Sequence, residues 1–253
     1  MDLSSAETAT DRKVFQITGA DALTFLQGMV SNDVLPLARG DGIVWAALLT
    51  PQGKYLADFF VVATQGLLLL DIKASIAEAT VKRLSMYRLR ADVQIVTSDL
   101  AIARGLGVPR AGALADPRHA ALGWRGYGVA GGPGSVDWDA IRVAQCIPET
   151  GIELIADDSY LLESGFERLH GVDFRKGCYV GQEVTARMKH KTELRKGLAR
   201  VMVQGVAPVG TEILAGEKVV GRLFTQSGGC GIAYLRFDQA VGAMRAGDAV
   251  VAL

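Results

Sequence analysis

The sequence predicts an α+β fold followed by a small all-β region, and two observations carry this prediction. In roughly the first hundred residues, strand-like segments alternate with amphipathic helices, which is typical of a split-βαβ arrangement. From about Leu194 the pattern changes to short β segments separated by glycines, which indicates a small barrel or sandwich. Glycines and prolines crowd residues 105–135 and mark a connecting region between the two parts.

The elements of the first part follow from hydrophobic periodicity and from turn residues. Strands are predicted over residues 14–18, 43–49, 54–62, 66–71, 92–97 and 100–105. The turn Pro51-Gln52-Gly53 joins the second and third of these strands into a hairpin. Helices are predicted from Asp21, as the N-cap, to about residues 31–33, and over residues 76–89. These elements complete the predicted α+β region.

The remaining elements are shorter. Within the glycine-rich region, short strands are predicted near residues 121–124 and 127–130. A helix is predicted over residues 138–144, and a second amphipathic stretch covers residues 161–169. The all-β region is predicted to contain strands at residues 199–203, 211–214, 218–223 and 231–235.

Composition limits the function classes. The chain has 253 residues, of which 49% are hydrophobic, enough to bury the core of two or three small domains. Its 27 basic and 27 acidic residues balance, which excludes a basic field over the whole protein for nucleic acid. No apolar run approaches the ~20 residues of a membrane helix, and the polar start differs from a signal peptide. We therefore expect a cytoplasmic protein without a membrane partner.

The cysteines do not form a metal-binding or disulfide pattern. Cys146, Cys178 and Cys230 are widely spaced, and neither a C-x-x-C pair nor a histidine at ligand spacing accompanies them. Such spacing favours a reducing compartment, and no complete metal site is predicted within the chain. Cys146 and Cys230 are expected to be small buried hydrophobic residues.

The surroundings of Cys178 are different, because residues 175–183 read R-K-G-C-Y-V-G-Q-E. Neighbouring cations such as Lys176 stabilise a thiolate and lower the pKa of its thiol. Gly177 and Gly181 permit positive φ angles and close approach of the backbone to a ligand. A core cysteine requires none of these neighbours, so the segment, called the signature loop below, predicts a functional site around Cys178.

The signature loop resembles the motif K-G-C-Y-x-G-Q-E of the YgfZ-type folate-binding proteins, which are relatives of the T protein (aminomethyltransferase) of the glycine cleavage system. Residues 19–34, 49–54 and 147–152 are also similar to segments of that family. The resemblance implies a cloverleaf of ferredoxin-like folate-binding domains around a tetrahydrofolate site, with a small C-terminal β-barrel. It places two interleaved ferredoxin-like subdomains in residues 1–193 and the barrel in residues 194–253.

The resemblance also implies the site residues. Those expected to carry the chemistry are Cys178, Lys176, Gln182 and Glu183. Those expected to bind the folate are Asn32, Asp33, Asp58, Glu149, Tyr179 and Arg187. Structural alternatives remain open for several: a cap or turn for Asn32 and Asp33, packing for Tyr179, and bonds within the loop for Gln182 and Glu183. An i,i+4 ion pair with Glu183 is the alternative for Arg187.

One departure from the T proteins bears on activity. They resemble D-D-x-x-V at the end of the return strand of the hairpin, where this chain has Ala57-Asp58-Phe59-Phe60-Val61. General acid or base catalysis on an aminomethyl group needs a carboxylate at the correct position, and Asp58 points to the opposite face of a strand from residue 57. Aminomethyl or other one-carbon transfer is therefore the alternative function.

The function that the resemblance implies first is assembly or repair of iron–sulfur cluster enzymes, including those that modify tRNA. The implied partners are folate and iron–sulfur cluster proteins or their assembly machinery. A weak contact with tRNA is a third hypothesis, because residues 175–200 contain eight Lys or Arg against two Glu. A solvated charged face is the alternative explanation of that basic segment.

Overall fold

The structure is a computed structural model that describes residues 6–129, 131–190 and 193–253. The chain forms two compact units. The first consists of the residues up to Val136 together with residues 167–182, and the second of residues 137–166 and 183–253. The chain therefore leaves the first unit and returns to it, and the returning segment contains most of the signature loop.

The bounds of the elements are as follows. The helices are α1 (Ala22–Met29), α2 (Ala74–Tyr87), α3 (Trp138–Gln145) and α4 (Gln182–His190), with short 3-10 turns at Leu35–Arg39 and Ala120–Leu122. The strands of the first unit are β1 (Ala6–Thr8), β2 (Arg12–Thr18), β3 (Gly42–Leu49), β4 (Tyr55–Thr64), β5 (Leu67–Lys73), β6 (Gln94–Ser98), β7 (Ile102–Gly105), β8 (Leu114–Ala115) and β9 (Trp124–Tyr127). Those of the second unit are β10 (Lys196–Gln204), β11 (Thr211–Ala215), β12 (Lys218–Ser227), β13 (Cys230–Arg236), β14 (Met244–Ala246) and β15 (Ala249–Ala252).

The core of the first unit lies on one face of a five-stranded antiparallel sheet with the order β3-β4-β5-β2-β6. Residues of β4 alternate between its two faces, so Ala57, Phe59 and Val61 belong to the hydrophobic core that α1 and α2 cover. Asp58 and Phe60 face the other side, which carries charged groups. A second sheet of this unit has the order β1-β7-β9-β8.

The second unit contains a closed antiparallel barrel with the order β10-β13-β12-β11-β14-β15. Alternate residues of these strands, such as Ile213, Leu223 and Leu235, fill its interior. Gly221 leaves room for the neighbouring strand, because a Cβ there would come within 2.2 Å of the Tyr234 carbonyl oxygen. Closure pairs every barrel strand on both sides.

Most predicted elements are confirmed, including the α+β fold class, the hairpin, the helices and the barrel strands. Residues 121–124 were predicted as a strand, but Ala120–Leu122 form a 3-10 turn that the His119 side chain caps, and the strand begins at Trp124. The predicted strand at 127–130 is likewise displaced, and Ala130 lies outside the described residues. The domain division at residues 193 and 194 stays a prediction.

One further prediction about local structure is wrong, and the amphipathic stretch has no regular secondary structure. Asp21 precedes α1 but makes no side-chain cap, because its carboxylate accepts a hydrogen bond from the Asp92 backbone N–H instead. The amphipathic stretch at residues 161–169 forms a series of turns and not a helix, with Gly165 at a φ of 78° interrupting it.

Candidate functional site

The signature loop is anchored to the C-terminal end of α1. The Lys176 ammonium donates hydrogen bonds to the carbonyl oxygens of Gln27, at 2.7 Å, and of Val30. The backbone N–H of Val180 donates to the carbonyl oxygen of Gly28 at 3.3 Å. The last carbonyl groups of a helix have no partner within it and carry partial negative charge, so a cation is stabilising there. The loop therefore supplies hydrogen-bond donors and a positive charge to the carbonyl groups at the end of α1.

The environment of Lys176 changes its protonation equilibrium. Burial lowers the pKa of Lys176 to about 8, and the charges of Asp33 and Asp173 oppose this shift without cancelling it. The ammonium also lies over the ring of Tyr179, 4.8 Å from its centre. The side chain that was predicted to stabilise a thiolate is thus engaged with helix carbonyls and an aromatic ring.

The two glycines of the signature loop have different roles. Gly181 has a φ of 83°, and a Cβ on it would lie 2.3 Å from the Thr50 carbonyl oxygen and 2.9 Å from the Leu49 side chain. The loop therefore packs directly against the β3–β4 turn at a position that only glycine fits. Gly177 has no positive φ, and a Cβ there would meet nothing within 4 Å. The predicted need for glycine holds at Gly181 alone.

Cys178 lies at the exposed apex of this anchored loop as a free thiol. Gln182 closes the loop, because its side-chain oxygen accepts a hydrogen bond from the Tyr179 N–H at 3.2 Å and its own N–H donates to the Tyr179 carbonyl. This is the loop-internal alternative for Gln182. Cys178, Lys176, Tyr179 and Gln182 are therefore brought together by one turn of chain whose thiol faces solvent.

A cavity of about 630 Å³ in the first unit contains two of the predicted folate-binding residues. Asn32 and Asp33 line it, with Trp45 in its wall and the polar side chains of Glu167, His170, Asp173 and Arg175 around it. Both residues also have structural bonds. Asn32 donates to the carbonyl oxygens of Trp45 and His170, at 2.8 and 2.7 Å, and Asp33 accepts from Gln27 and from the Leu35 N–H.

Asp58 is buried on the charged face of the sheet. Its carboxylate accepts hydrogen bonds from the Trp45 indole N–H at 2.8 Å and from the Tyr55 hydroxyl at 2.6 Å. Ala57 faces the opposite side, in the hydrophobic core, as the alternation of a strand requires. The position of the missing carboxylate is therefore filled by an apolar contact, and Asp58 holds Trp45 in the wall of the cavity.

The same face of the sheet carries a buried ionic network that sequence reasoning missed. Asp71 accepts from Arg12 at 2.6 Å, from Arg125 at 3.1 Å and from the Tyr127 hydroxyl at 2.9 Å. Arg125 also binds Asp116, which is paired with Arg118. Burial alone would raise the pKa of Asp71, but the guanidinium groups of Arg12 and Arg125 outweigh it and hold that pKa below its usual value.

The ring of Phe60 lies among the cations of this network. The guanidinium carbons of Arg12, Arg118 and Arg125 are 5.3, 4.9 and 4.1 Å from its centre. Arg118 is also 5.8 Å from the Trp45 ring, so the network packs behind the wall of the cavity. A lone Asp71 at the end of four leucines was the only signal in the sequence.

The other predicted residues lie in the second unit. Glu149 is half-buried in a turn, where its backbone N–H donates to Glu153 at 2.9 Å. Glu153 is buried against Arg142, at 2.9 Å. Glu183 and Arg187 are exposed on α4, and the described residues include no ion pair between them. Glu149, Glu183 and Arg187 are not among the residues that line the cavity of the first unit.

The described residues contain no group of three or more His, Cys, Asp or Glu side chains placed to hold a metal ion. None of their helices has the length and apolar character needed to cross a bilayer.

The comparisons with known proteins agree on fold and family. Residues 195–253 match the family described as CAF17, C-terminal beta-barrel domain. The chain superposes on the crystal structure of glycine cleavage system aminomethyltransferase T from Bartonella henselae with a TM-score of 0.75, covering 97% of this chain and 83% of that one. At 12% identity this likeness concerns the fold alone. The aminomethyltransferase-type fold with its C-terminal barrel is therefore confirmed.

Sequence relatives are named as assembly factors. The chain is 31% identical to the human iron-sulfur cluster assembly factor IBA57, mitochondrial, over 88% of this chain and 75% of the relative. It is 30% identical to the Mus musculus protein of that name, over 90% and 76%. The homologue from Mycosarcoma maydis is 33% identical over 73% of this chain, which spans 54% of that relative's length.

These names contradict one prediction from the sequence. We expected a cytoplasmic protein, because the N-terminal residues do not resemble a signal peptide. The relatives from human, mouse and Mycosarcoma maydis are all named as mitochondrial. The expectation of a cytoplasmic location is therefore wrong, since it rested on a polar N-terminal pattern that does not distinguish the two compartments.

Proposed function

The chain belongs to the IBA57 family of iron–sulfur cluster assembly factors, and we propose that it assembles or repairs iron–sulfur clusters through the thiol of Cys178. The observation that carries this proposal is the exposed thiol at the apex of a loop that Lys176 and Gly181 hold in place. A reactive thiol needs access to its partner, and the anchoring keeps Cys178 at one position on the surface.

The cluster is the cargo in this proposal and not a resident cofactor. Iron–sulfur clusters are held by cysteine thiolates, usually four of them, and soft ligands of this kind suit iron in clusters. Cys178 supplies one thiolate, and the described residues contain no group of three or more His, Cys, Asp or Glu side chains that could hold a metal ion. A cluster that contacts Cys178 therefore takes its remaining ligands from a partner protein, which fits transfer between proteins better than storage.

The experiment is complementation of cells that have been depleted of their own assembly factor of this family. We expect the wild-type chain to restore the activity of iron–sulfur enzymes and Cys178→Ser to fail. Cys230→Ser is the matched control, because Cys230 is buried inside the second unit. Full restoration by Cys178→Ser, at equal protein level, would overturn the proposal.

We propose in addition that the first unit binds tetrahydrofolate or a folate derivative. Support comes from the aminomethyltransferase-type fold and from the cavity, where carboxylates and the Trp45 wall offer the polar edge and apolar surface that a pterin ring requires. Calorimetry with tetrahydrofolate, anaerobically and with reductant, tests this on wild type and Cys178→Ala. Equal binding by both is expected, since the cavity does not include Cys178, and no binding by either removes the proposal.

We also propose that the clients of the protein include enzymes that modify tRNA. Enzymes that modify tRNA are one class of iron–sulfur client, and a weak direct contact with tRNA through the basic segment at residues 175–200 would accompany it. Exposed Arg175, Arg187 and Arg200 support this contact. Retention of tRNA that weakens steeply with salt would be expected, and retention independent of salt would count against it. One-carbon transfer receives no such support, because Ala57 replaces the required carboxylate.

A further inference from the structure

The C-terminal end of α2 and the turn after it form a basic surface. Lys82, Arg83, Arg88 and Arg90 are all exposed, and the sequence has no carboxylate between residues 79 and 91. The next acidic residue, Asp92, is exposed at the end of the turn, where its carboxylate accepts a hydrogen bond from the Ala20 N–H at 3.0 Å. We call these four side chains the cationic surface.

Large apolar side chains stand among these cations. Leu89 is 88% exposed between Arg88 and Arg90, and Met86 is 70% exposed. Val96 of β6 is exposed as well, but on the face of the sheet opposite to Ile95 and to the core that α2 covers. Tyr87 is also exposed, so Met86, Tyr87 and Leu89 form one group at the turn. A single exposed apolar residue is ordinary, but a contiguous group within a rim of charge is typical of an interaction site.

The turn that presents Leu89 is fixed in place. The Arg88 guanidinium donates to the Val93 carbonyl oxygen at 2.9 Å, and the Asp92 N–H donates to the Asp21 carboxylate at 2.8 Å. Gly19 is packed so closely that a Cβ there would lie 2.0 Å from the Asp92 carbonyl oxygen. Leu89 itself has a φ of 45°, a conformation that leucine rarely adopts. An exposed leucine is thus held rigidly in an unfavourable conformation.

This turn leads directly into an unprotected sheet edge. β6 is the last strand of its sheet, and in the described part of the chain no strand pairs with its outer side. Its sequence, Gln-Ile-Val-Thr-Ser, has no charge and no proline, and its register with β2 has no bulge. Charged residues, proline and bulges are the features that usually prevent an edge strand from pairing with another chain, and β6 has none of them.

We propose that this surface is a docking site for an extended acidic segment of a partner protein, which adds as a strand to the outer edge of β6. Backbone hydrogen bonds to the edge strand provide the pairing, and the exposed apolar side chains of Leu89 and Val96 contact side chains of the segment. The cationic surface selects acidic sequences and steers their approach. The proposal is independent of the role of Cys178.

Charge decides between this occupant and two others. A second copy of the chain would bring the same four cations to the interface, which disfavours pairing of two β6 edges. A nucleic acid would match the cations but not a strand edge with exposed Met86, Leu89 and Val96, and Tyr87 alone offers an aromatic ring for stacking.

The test measures fluorescence anisotropy of the full chain with a fluorescein-labelled peptide of alternating glutamate and valine. We expect saturable binding that falls with ionic strength and becomes about tenfold weaker in the double variant Arg83→Glu with Arg90→Glu. Leu89→Asn, which suits the positive φ, is expected to weaken binding about threefold without loss of folding. Lys218→Glu with Arg245→Glu is the matched control, because it makes the same charge change on the barrel.

A second peptide, N-methylated at alternate backbone amides, isolates the strand pairing. Loss of binding by this peptide supports the proposal, since methylation removes the donors that edge pairing needs. Equal binding of the methylated peptide, or equal weakening in the control variant, overturns it. So does binding of a single-stranded RNA probe in place of the peptide, or a dimer that the Arg83 and Arg90 substitutions do not affect.

Discussion

The Lys176 ammonium and the Gln27 carbonyl oxygen are 2.7 Å apart, although 149 positions separate the two residues in the chain. This contact fixes the signature loop on the end of α1, and Val180 adds a second bond to the same helix end. The motif that predicts a reactive thiol at Cys178 therefore also attaches the signature loop to α1 through Lys176.

Thiol reactivity should separate the three cysteines. Cys178 is exposed, Cys146 is half-buried and Cys230 is buried. In native protein we expect one fast reaction with a disulfide reagent such as DTNB, and the other thiols to react only after slow opening or unfolding. Cys178→Ser should remove the fast phase and Cys230→Ser should leave it. A fast phase that survives Cys178→Ser would contradict the assigned exposure.

Alanine substitutions at the two glycines of the loop should have unequal effects. Gly181→Ala places a Cβ against the Thr50 carbonyl at a positive φ, so we expect a loss of about 2 kcal/mol or more in the free energy of unfolding. It should also change the rate at which Cys178 is labelled. Gly177→Ala is the matched control, with open space around its Cβ and an expected change near zero. Urea unfolding and labelling rates measure both, and equal losses in the two variants would refute the packing described.

Removing the carboxylate of Asp71, at the centre of the buried network, should strongly reduce the free energy of unfolding. Asp71→Asn leaves the guanidinium groups of Arg12 and Arg125 without their shared carboxylate, so we expect destabilisation of about 3 to 5 kcal/mol at neutral pH. The pKa of Asp71 is lowered in the folded state, so its ionised form stabilises the protein above the unfolded pKa, and this contribution disappears as the pH falls through the folded value. Urea unfolding measures the loss. The exposed Asp99→Asn is the control, and an equally small effect at both positions would exclude the network as a source of stability.

Lys176 should give stability a distinct dependence on alkaline pH. Burial lowers its pKa to about 8 from an ordinary 10.5, so between these values the unfolded chain binds more protons than the folded one. The free energy of unfolding of wild type, relative to Lys176→Met, should therefore rise as the pH increases through this window. Urea unfolding at pH 7.5 and at pH 10 measures the difference. A wild-type difference that falls with pH would reverse the assignment.

Sequence patterns predicted the hairpin of β3 and β4, the helices α1 and α2 and the barrel, because hydrophobic alternation and turn residues are local signals. They did not predict the network around Asp71, whose partners Arg125 and Asp116 lie more than forty residues away in the glycine-rich region. Resemblance located the signature loop, but the use of Lys176 as an anchor depends on where α1 ends in space. Local sequence patterns do not indicate which distant residue a charged side chain pairs with.

The distance along the chain between Gln27 and Lys176 also affects the order in which the protein folds during synthesis. The strands β2 to β6 and both helices that cover them are complete in sequence long before residues 176–181 leave a ribosome. Until these residues are synthesised, the carbonyl groups at the end of α1 lack their bonds to Lys176 and Val180. The entropic cost of closing so long a loop is therefore incurred at this late step. A truncated or stalled chain would hold a folded sheet without a presented thiol. A nascent chain therefore presents the Cys178 thiol on the end of α1 only after the signature loop has been synthesised and has docked there.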